Sequence, residues 1–184
     1  FNPVLADPFR EGALSQNSVR SICRDSQGGM WLGTYFGGVN YYHPLKNHFR
    51  AIRRAPGGNS LNDNVVNCMS EDSKARIWIG TNTGGVNCWD TSTGSFRHWS
   101  MRSRSGGASP EPYDVKALYV DDSAGKVYVG AHAGGLSVID IASGVMTRFP
   151  AGDSGVSSDI YSILPGPSAS QLWIGTLAGP AVFD

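Results

Sequence analysis

The sequence has little charge and no long apolar run. Only 16% of its 184 residues are charged and the formal net charge is zero, so electrostatics give no reason to expect nucleic acid or an acidic membrane surface as a partner. No stretch approaches the roughly 18 consecutive apolar residues that a membrane-spanning helix requires. Helical periodicity of useful length is also absent. We therefore expect neither a membrane-spanning segment nor a helical domain within the chain.

Cysteine is scarce. Cys23, Cys68 and Cys88 are odd in number and far apart in the sequence, which indicates neither a disulfide framework nor a C-x-x-C metal site. We interpret them as small apolar residues of strands. The chain begins at Phe1 rather than Met and shows no basic and apolar leader. We therefore expect an excised or processed segment whose targeting signal, if any, lay upstream.

Glycine and aromatic residues are abundant instead. The chain has 24 glycines, 10 prolines, 5 tryptophans and 7 tyrosines, the composition of a turn-dense protein with aromatic strands. One motif, an aromatic residue followed by a strand and a turn that contains glycine, occurs in four related copies: Trp31 to Val39, Trp78 to Val86, Tyr128 to Leu136 and Trp173 to Pro180. Successive copies begin 47, 50 and 45 residues apart, so the chain consists of about four copies of one supersecondary unit.

Each unit contains short β-compatible stretches separated by turn residues. In the second unit these stretches are Val65 to Ser70, Ile77 to Thr81, Val86 to Asp90 and Ser95 to Ser100. Four short strands at a spacing of about 45 residues are the pattern of a propeller blade. The sequence therefore predicts an all-β fold, a β-propeller built of about four four-stranded blades in a single segment over residues 1–184. The predicted repeat units span approximately residues 14–60, 61–109, 110–154 and 155–184.

The fourth unit lacks a last strand of its own. Residues 1–5 have the phase of such a strand, because Phe1 precedes Leu14 by 13 residues much as Phe49 precedes Leu61 by 12. Pairing this segment with residues 181–184 would close a ring and leave no free sheet edge in that blade. Alternatively, residues 1–5 are the fourth strand of a preceding blade, and the chain is a fragment of a larger propeller. Both possibilities stay open at the level of sequence.

The recurring motif is interpreted mainly as a packing and turn element. Alternate residues of a strand share a face, so Trp78 and Gly80 point to one side and Ile77 and Ile79 to the other. A glycine two positions after the tryptophan is expected to leave a bare patch on which an aromatic ring of an adjacent strand or blade lies flat. The glycine pairs fit turns that need positive φ, and these pairs are Gly37-Gly38, Gly84-Gly85 and Gly134-Gly135. A platform of tryptophans on which sugars stack is the alternative.

Two of the units resemble a known repeat. Leu14 to Thr34, which ends in Trp31-Leu32-Gly33-Thr34, and Leu61 to Thr81 are similar to the two-component-regulator propeller repeat. This resemblance implies seven-bladed propellers in the periplasmic part of hybrid sensor histidine kinases, notably those with which gut Bacteroides detect glycan fragments. It also implies ligand sensing and dimeric signalling. The third and fourth units depart from the pattern, and four repeats indicate a fragment of a larger propeller.

Candidate ligand contacts lie in the loops between second and third strands and between a fourth strand and the next first strand. These loops emerge on one rim of a propeller. Aromatic rings beside amides and arginines suit a sugar, whose apolar ring face stacks while its hydroxyl groups need hydrogen-bond partners. Solvated loops and Asx turns are the alternative. The predicted ligand-binding residues are Tyr35, Phe36, Asn82, Thr83, Arg102, Arg104, Tyr113 and His132. Among them, Arg102 and Arg104 suit a uronate or sulfate group by bidentate hydrogen bonding.

Residue patterns for catalysis, a metal or a cofactor are missing from the sequence. The four histidines have no metal-ligand spacing, and a phosphate-binding glycine motif between a strand and a helix is absent. Asp25, Asp72 and Asp122 recur at equivalent turns, which indicates a structural role rather than an acid and base pair.

The leading hypothesis is a periplasmic ligand-sensing propeller segment of a hybrid two-component sensor histidine kinase. We expect it to recognise a glycan-derived oligosaccharide, to signal to a downstream kinase and not to be an enzyme itself. The expected partners are the oligosaccharide and, in the parent protein, a second subunit of a homodimer. Nucleic acid is not expected, and membrane contact only through parts outside this segment. A carbohydrate-active propeller enzyme, either a lyase or a glycosidase, and a protein-interaction scaffold are the alternatives.

Overall fold

The computed structural model describes residues 3–7, 9–45, 49–101, 114–149, 157–168 and 170–184. Within these residues the chain forms fifteen β-strands, and no helix there is long and apolar enough to cross a membrane. The strands are β1 Val19–Arg24, β2 Met30–Thr34, β3 Val39–Tyr42, β4 Phe49–Ile52, β5 Val66–Glu71, β6 Arg76–Thr81, β7 Val86–Asp90, β8 Ser95–Trp99, β9 Val115–Asp121, β10 Lys126–Ala131, β11 Gly135–Asp140, β12 Met146–Phe149, β13 Ile160–Pro165, β14 Leu172–Thr176 and β15 Gly179–Phe183.

The strands form four antiparallel sheets, which we call blades 1 to 4. Blades 1, 2 and 3 contain β1–β4, β5–β8 and β9–β12, and each strand pairs with the next one along the chain. Blade 4 contains the three strands β13–β15. The predicted all-β propeller of about four blades is therefore confirmed, with three strands rather than four in the described part of blade 4.

Alternation along the second strand gives each blade two apolar faces. Trp78 of β6 packs with residues of blade 3, and we call this side of a blade its rear face. Ile77 and Ile79 of the same strand pack with residues of blade 1, and we call this side the front face. All three side chains are almost completely buried. Because a blade is covered on both sides, its second strand is apolar at nearly every position.

The hydrophobic core is divided among the contacts between neighbouring blades. Trp31 of blade 1 packs with Trp89 of blade 2 in one cluster. A second cluster joins blade 2 to blade 3, and a third joins Leu136 of blade 3 to Ile174 of blade 4. The inner strands β1, β5, β9 and β13 pack side by side in this order. Each blade thus buries its faces only by stacking on its neighbours, as repeat architectures do.

The glycine two positions after the aromatic residue accommodates a branched side chain of the next blade. A Cβ at Gly33 would collide with Cγ1 of Val66, the first residue of β5. The same relation joins Gly80 to Val115 and Gly130 to Ile160. The expectation of an aromatic ring at this place is wrong. The next inner strand starts so close to the glycine that only a compact branched side chain fits.

The two members of a glycine pair are needed for different reasons. The second residue has positive φ, 74° at Gly38, 77° at Gly85 and 65° at Gly135, which a residue with a Cβ rarely adopts. In the first two pairs the first residue is required by space, since a Cβ at Gly37 or Gly84 would approach the hydroxyl of Thr34 or Thr81 to 2.8 Å. Positive φ is therefore confirmed for the second glycine of each pair.

Asp25 and Asp72 hold the turns between first and second strands. Oδ1 of Asp25 accepts a hydrogen bond from the N–H of Gly29 at 2.6 Å, and its Oδ2 accepts one from Nε1 of Trp31 at 2.9 Å. Oδ2 of Asp72 accepts the Nε1–H of Trp78 at 2.8 Å. The predicted structural role is confirmed in these two copies.

Asp122 has a different structural role in blade 3, where Tyr128 takes the place of the tryptophan. Its carboxylate accepts hydrogen bonds from the N–H and the hydroxyl of Ser73 in blade 2, at 2.9 and 2.8 Å. A carboxylate of blade 2 contacts blade 1 in the same way, since Glu71 accepts the N–H of Ser26 at 2.9 Å. These bonds link successive blades at one end of the array.

The four blades follow one another in an arc, and among the described residues the outward faces of the first and last blades are partly exposed. Trp173 of blade 4 is 45% exposed and Ile22 of blade 1 is 65% exposed. Residues 3–7 do not extend the sheet of blade 4, and Ala6 instead makes an isolated bridge with Leu14. Residues 1 and 2, which belong to the predicted closing or preceding strand, lie outside the described residues.

Candidate ligand-binding rim

One rim of the arc is formed by two sets of loops. The first set joins second to third strands, at residues 35–38, 82–85, 132–134 and 177–178, and the second precedes the inner strands. Backbone hydrogen bonds connect the two sets at 2.8 to 3.0 Å, and they run from Tyr35 to Ser18, from Asn82 to Val65 and from His132 to Asp114. The predicted placement of both loop sets on one rim is therefore correct for these blades.

Tyr35 and Phe36 form an exposed aromatic surface in blade 1. Their ring centroids are 4.2 Å apart with the planes at 57°, and the rings are 37% and 61% exposed. The N–H of Phe36 donates to Oε1 of Gln16 at 2.9 Å, which holds the turn. The guanidinium of Arg20 lies 4.4 Å from the centre of the Tyr35 ring, a cation–π distance. This group offers an apolar surface and a cation within one small area.

Asn82 and Thr83 occupy the same turn in blade 2 but are engaged differently. The N–H and the hydroxyl of Thr83 donate to Oδ2 of Asp63 at 2.7 and 2.8 Å. Asp63 also accepts the N–H of Val65 at 3.0 Å. The Thr83 hydroxyl is thus used inside the loop, whereas Asn82 remains half-buried beside it. This turn therefore offers polar groups but no exposed aromatic rings, whereas the turn in blade 1 offers the rings of Tyr35 and Phe36.

His132 occupies the corresponding turn in blade 3 and pairs with blade 4. Its Nδ1 contacts Oδ1 of Asp159, and the N–H of Ala133 donates to the same carboxylate oxygen at 3.1 Å. The hydroxyl of Ser158 donates to Oδ2 at 2.6 Å. The hydroxyl of Ser158, the N–H of Ala133 and the neighbouring His132 all favour the charged carboxylate, so the pKa of Asp159 is lowered. Asp159 therefore connects the rims of two blades.

Every inner strand carries a β-bulge at the same place near the rim. The pairing register shifts by one residue and leaves a single residue unmatched in each blade, and these residues are Arg20, Asn67, Lys116 and Tyr161. We call these four residues the bulge row. Bulges redirect a side chain and are over-represented next to active sites. The bulge row thus places four chemically different side chains along the rim.

The contacts of the bulge row confirm that it belongs to the rim. Nζ of Lys116 lies 3.2 Å from Oδ2 of Asp114, in the loop before β9. Nδ2 of Asn67 donates to the carbonyl of Val115 in the next blade at 3.0 Å. Tyr161 is 45% exposed. Lys116 and Asn67 are therefore positioned by partners, and the Tyr161 side chain is open to solvent.

Sequence reasoning missed the bulge row. A bulge is a property of strand pairing, and the alternation of residues along one strand does not reveal it. A signal was nevertheless present, because each bulge residue directly follows the branched residue that begins an inner strand. Aligning the four copies at that residue finds the row, as Val19-Arg20, Val66-Asn67, Val115-Lys116 and Ile160-Tyr161.

A cleft of about 590 Å³ borders the rim at the loop between β4 and β5. Arg54, Asn62 and His98 contribute polar side chains to its lining. Nε2 of His98 lies 2.8 Å from the carbonyl of Ser60, and the side chain of Asn62 donates to the carbonyl of Gly84. The cleft therefore combines a charged side chain with two polar groups that the loop itself fixes in place.

Three of the predicted ligand contacts, Arg102, Arg104 and Tyr113, lie outside the described residues. Among the residues that the structure does describe, no group of three or more His, Cys, Asp and Glu is arranged to hold a metal ion. The three cysteines are free thiols. The rim that can be described consists of aromatic, amide and charged side chains suited to hydrogen bonding and ring stacking.

Two segments of the chain match a known sequence family. Residues 13–36 and 60–83 match the family described as two component regulator propeller. These two segments, 24 residues each in a chain of 184, are similar to two-component regulator propeller repeats. Each matched segment contains the tryptophan of the second strand and the aspartate six residues before it. The segments end within the rim turns, at Phe36 and Thr83. No curated protein matches the sequence.

Solved structures share the arrangement of these propeller repeats. The extracellular domain assigned to a hybrid two component system, BT3049 from B. thetaiotaomicron, is 24% identical with a TM-score of 0.78 over 98% of this chain. The extracellular domain assigned to a one component system, BT4673 of the same organism, is 23% identical with a TM-score of 0.72 over 96% of this chain. The chain spans 24% and 22% of the length of those two solved domains.

A designed protein shares the fold at nearly the same length. The computationally designed Ika4 protein is 17% identical with a TM-score of 0.63, and the match covers 100% of this chain and 98% of that one. At these identities the likeness shows the propeller fold.

Proposed function

We propose that this chain is the ligand-sensing part of a two-component system outside the cytoplasm, and that it binds a glycan-derived oligosaccharide at the rim. The proposal extends to a hybrid histidine kinase as the parent protein, periplasmic in location and homodimeric, with the kinase activity outside this segment. The chain itself is proposed to bind its ligand without chemical conversion. Support comes from the two-component regulator propeller repeats and from the chemistry of the rim.

The observation that carries the proposal is the group formed by Tyr35, Phe36 and Arg20. Two tilted rings offer an exposed apolar surface, and a guanidinium lies 4.4 Å from one of them. Sugars present apolar ring faces edged by hydroxyl groups, so an aromatic surface beside fixed hydrogen-bonding groups suits them. The repeats have different residues at the rim, which is the arrangement expected if each blade contacts a different part of an extended ligand.

Signalling requires the ligand to favour one of two states of the protein. The contact between His132 of blade 3 and Asp159 of blade 4 is a suitable place, because it joins two blades directly at the rim. A ligand that bridges the turns of two blades stabilises one arrangement of those blades relative to another. In the proposed parent protein, the shift is passed to the kinase.

Titration calorimetry of the chain with a panel of neutral and acidic oligosaccharides tests the proposal. We expect saturable binding of one glycan class, and Tyr35→Ala is expected to weaken it about tenfold, which corresponds to the loss of roughly 1.4 kcal/mol of contact with the ring. Leu45→Ala is the matched control, since Leu45 is 89% exposed and lies in the connection between β3 and β4, at the opposite end of the strands from the rim.

Three outcomes contradict the proposal. The first is the absence of heat with every glycan, and the second is equal binding by the wild type and the Tyr35→Ala variant. The third is the appearance of new reducing ends or unsaturated products during incubation, which indicates an enzyme. Circular dichroism of both variants confirms that a loss of binding is not a loss of folding.

A further inference from the structure

Three arginines lie where the rims of blades 1 and 2 adjoin. The guanidinium of Arg20 lies 4.4 Å from the centre of the Tyr35 ring. Nε of Arg53 donates to the carbonyl of Gly37 in the same rim turn at 3.2 Å. Arg54 follows Arg53 and lines the cleft of about 590 Å³ at the loop between β4 and β5. All three arginines are exposed, so a ligand at this part of the rim can reach their guanidinium groups.

Within the described part of the chain, none of these arginines forms an ion pair. The ion pairs found there join Arg76 to Asp72, Lys116 to Asp114 and His132 to Asp159. The carboxylate of Asp63, in the loop between β4 and β5, accepts hydrogen bonds from Thr83 instead. The whole chain has 15 basic and 15 acidic residues. The unpaired cations are therefore a local feature of the rim and not a consequence of net charge.

The cleft beside Arg54 is a preformed polar pocket without an acidic side chain in its described lining. The hydroxyl oxygen of Ser60 accepts the N–H of Ala55 at 2.9 Å, and Oδ1 of Asn64 accepts the N–H of Arg54 at 2.7 Å. Nε2 of His98 lies 2.8 Å from the carbonyl of Ser60. A carbonyl only accepts, so this nitrogen carries the proton and Nδ1 is left to accept a hydroxyl group.

The cleft and the aromatic pair belong to one continuous surface. The N–H of Gly38, in the turn that carries Tyr35 and Phe36, donates to the carbonyl of Asn64 at 3.1 Å. The bond from Arg53 to the same turn is a second link. Both blades that form this junction belong to the described chain. One extended ligand can therefore contact the rings and the cleft together.

We propose that this part of the rim selects an acidic oligosaccharide, one that carries uronate carboxylates or sulfate groups. The inference rests on the proposed function and names the class of glycan. A sugar ring stacks on Tyr35 and Phe36, while anionic groups along the oligosaccharide bind the guanidinium groups of Arg20 and Arg54. The paired N–H donors of a guanidinium match the oxygens of such groups. A neutral glycan would leave these cations without a counter-charge.

Titration calorimetry with matched probes tests the charge requirement. Trigalacturonic acid carries carboxylates, and its methyl ester has the same sugar skeleton without the charge. A sulfated galactan tetrasaccharide and its desulfated form provide the corresponding pair for sulfate, so the two pairs distinguish the sources of the anion. We expect at least one charged probe to bind about tenfold more tightly than its neutral partner, and rising salt concentration to weaken that binding.

Arginine variants test the residues. Arg20→Gln and Arg54→Gln are each expected to weaken binding of the charged probe at least about threefold, and the double variant about tenfold, because contacts of exposed charges are individually modest. Affinity for the neutral partner should change less than about twofold. Arg24→Gln is the matched control, since Arg24 is exposed at the other end of β1 and its substitution removes the same charge. Circular dichroism checks that each variant folds.

Equal affinity for the charged and neutral members of both pairs overturns this inference, while glycan binding itself would still support the proposed function. Binding of neutral oligosaccharides alone has the same consequence. A double variant that binds the charged probe as tightly as the Arg24→Gln chain also overturns it. The absence of binding by every glycan overturns both the inference and the proposed function.

Discussion

The Nε1–H of Trp78 donates a hydrogen bond of 2.8 Å to Oδ2 of Asp72, and both residues are buried. The same carboxylate oxygen accepts Nε of Arg76 at 2.7 Å, and Oδ1 accepts the N–H groups of Lys74 and Arg76. One aspartate thus holds a turn, an ion pair and the tryptophan that fills the contact with blade 3. Loss of this carboxylate should affect the stability of the whole arc.

Asp72→Asn should lower the free energy of unfolding by about 2 to 3 kcal/mol, because charge-assisted hydrogen bonds are lost in a buried place. Urea denaturation measures the change. Asp122→Asn is the matched control, since the equivalent aspartate in blade 3 is exposed and its carboxylate binds only Ser73 among the described residues. It should lose under about 1 kcal/mol. Equal losses in the two variants would show that the tryptophan bond does not stabilise the fold.

Gly80→Ala should destabilise the chain by about 1 to 3 kcal/mol, the usual cost of overpacking. An added Cβ collides with side chains of Cys68 and of Val115, which belongs to the next blade. Gly175→Ala is the repeat-equivalent control, because among the described residues an added Cβ at Gly175 meets only Ser162 of its own sheet, whose hydroxyl can rotate away. Its effect should stay within about 1 kcal/mol. A larger loss at Gly175 than at Gly80 would contradict the assignment of the blade contact.

The stability of the chain should fall at alkaline pH because of the partly buried thiol of Cys68 and the buried thiol of Cys88. Burial raises the pKa of Cys68 from 9.0 to about 12 and that of Cys88 to about 11. A group whose pKa is higher in the folded state stabilises fully below its unfolded pKa, and this stabilisation is lost as the pH rises through the folded value. Between the unfolded and the folded pKa, each thiol should lower the free energy of unfolding by up to about 1.4 kcal/mol per pH unit.

Cys68→Ala isolates the contribution of the Cys68 thiol to the loss of stability at alkaline pH. Its free energy of unfolding should be lower than that of the wild type near neutral pH because of the cavity, and the difference should shrink as the pH rises above about 9. Chemical denaturation at a series of pH values measures both curves. Parallel curves up to the alkaline end would rule out ionisation of Cys68 as a cause of the decline.

Asp159→Asn should loosen the rim between blades 3 and 4. The carboxylate has a lowered pKa, so its stabilisation is present above the unfolded value of 3.8 and is lost as the pH falls through the lower folded value. The wild type should therefore have a higher melting temperature than the variant at neutral pH, and the two should converge below about pH 4. Faster hydrogen exchange at the Ala133 amide should accompany the substitution.

Asp140→Asn is the control for that experiment. Asp140 also has a lowered pKa, caused by hydrogen bonds from the backbone and hydroxyl of Ser143 in an outer turn. The Asp140→Asn variant should change how the melting temperature depends on pH in acid, without changing hydrogen exchange at the Ala133 amide. An Ala133 amide that exchanges equally fast in the wild type and the Asp159→Asn variant would show that the carboxylate does not hold the rim turn.

Much of a blade could be predicted from residue order, because the relevant interactions are local. The spacing of Trp31 and Trp78, and the aspartate six residues before each of them, identify the second strand and its turn in both copies. Positive φ at Gly38 follows from a backbone conformation that glycine alone adopts readily. The occupant of the space above Gly33 was not predictable, since Val66 comes from another blade and is brought there by stacking.

The candidate site was predictable in position but not in detail. Tyr35 and Phe36 were identified because they follow a strand whose end was clear from the pattern. Arg20 was not, because a shift of pairing register places it beside Tyr35, and register depends on two strands at once. The polar environment of Thr83 and His132 likewise depends on Asp63 and Asp159, which lie in loops far away in sequence.

The sequence alone determined that the chain is a repeat of short strands and turns, since alternation, glycine and turn aspartates act within a few residues of one another. Only the tertiary structure decided which faces are covered. Trp31 and Trp173 have the same place in their repeats, yet one is buried and the other is 45% exposed. The difference arises because burial in a stacked array is a property of the neighbouring blade and not of the residue.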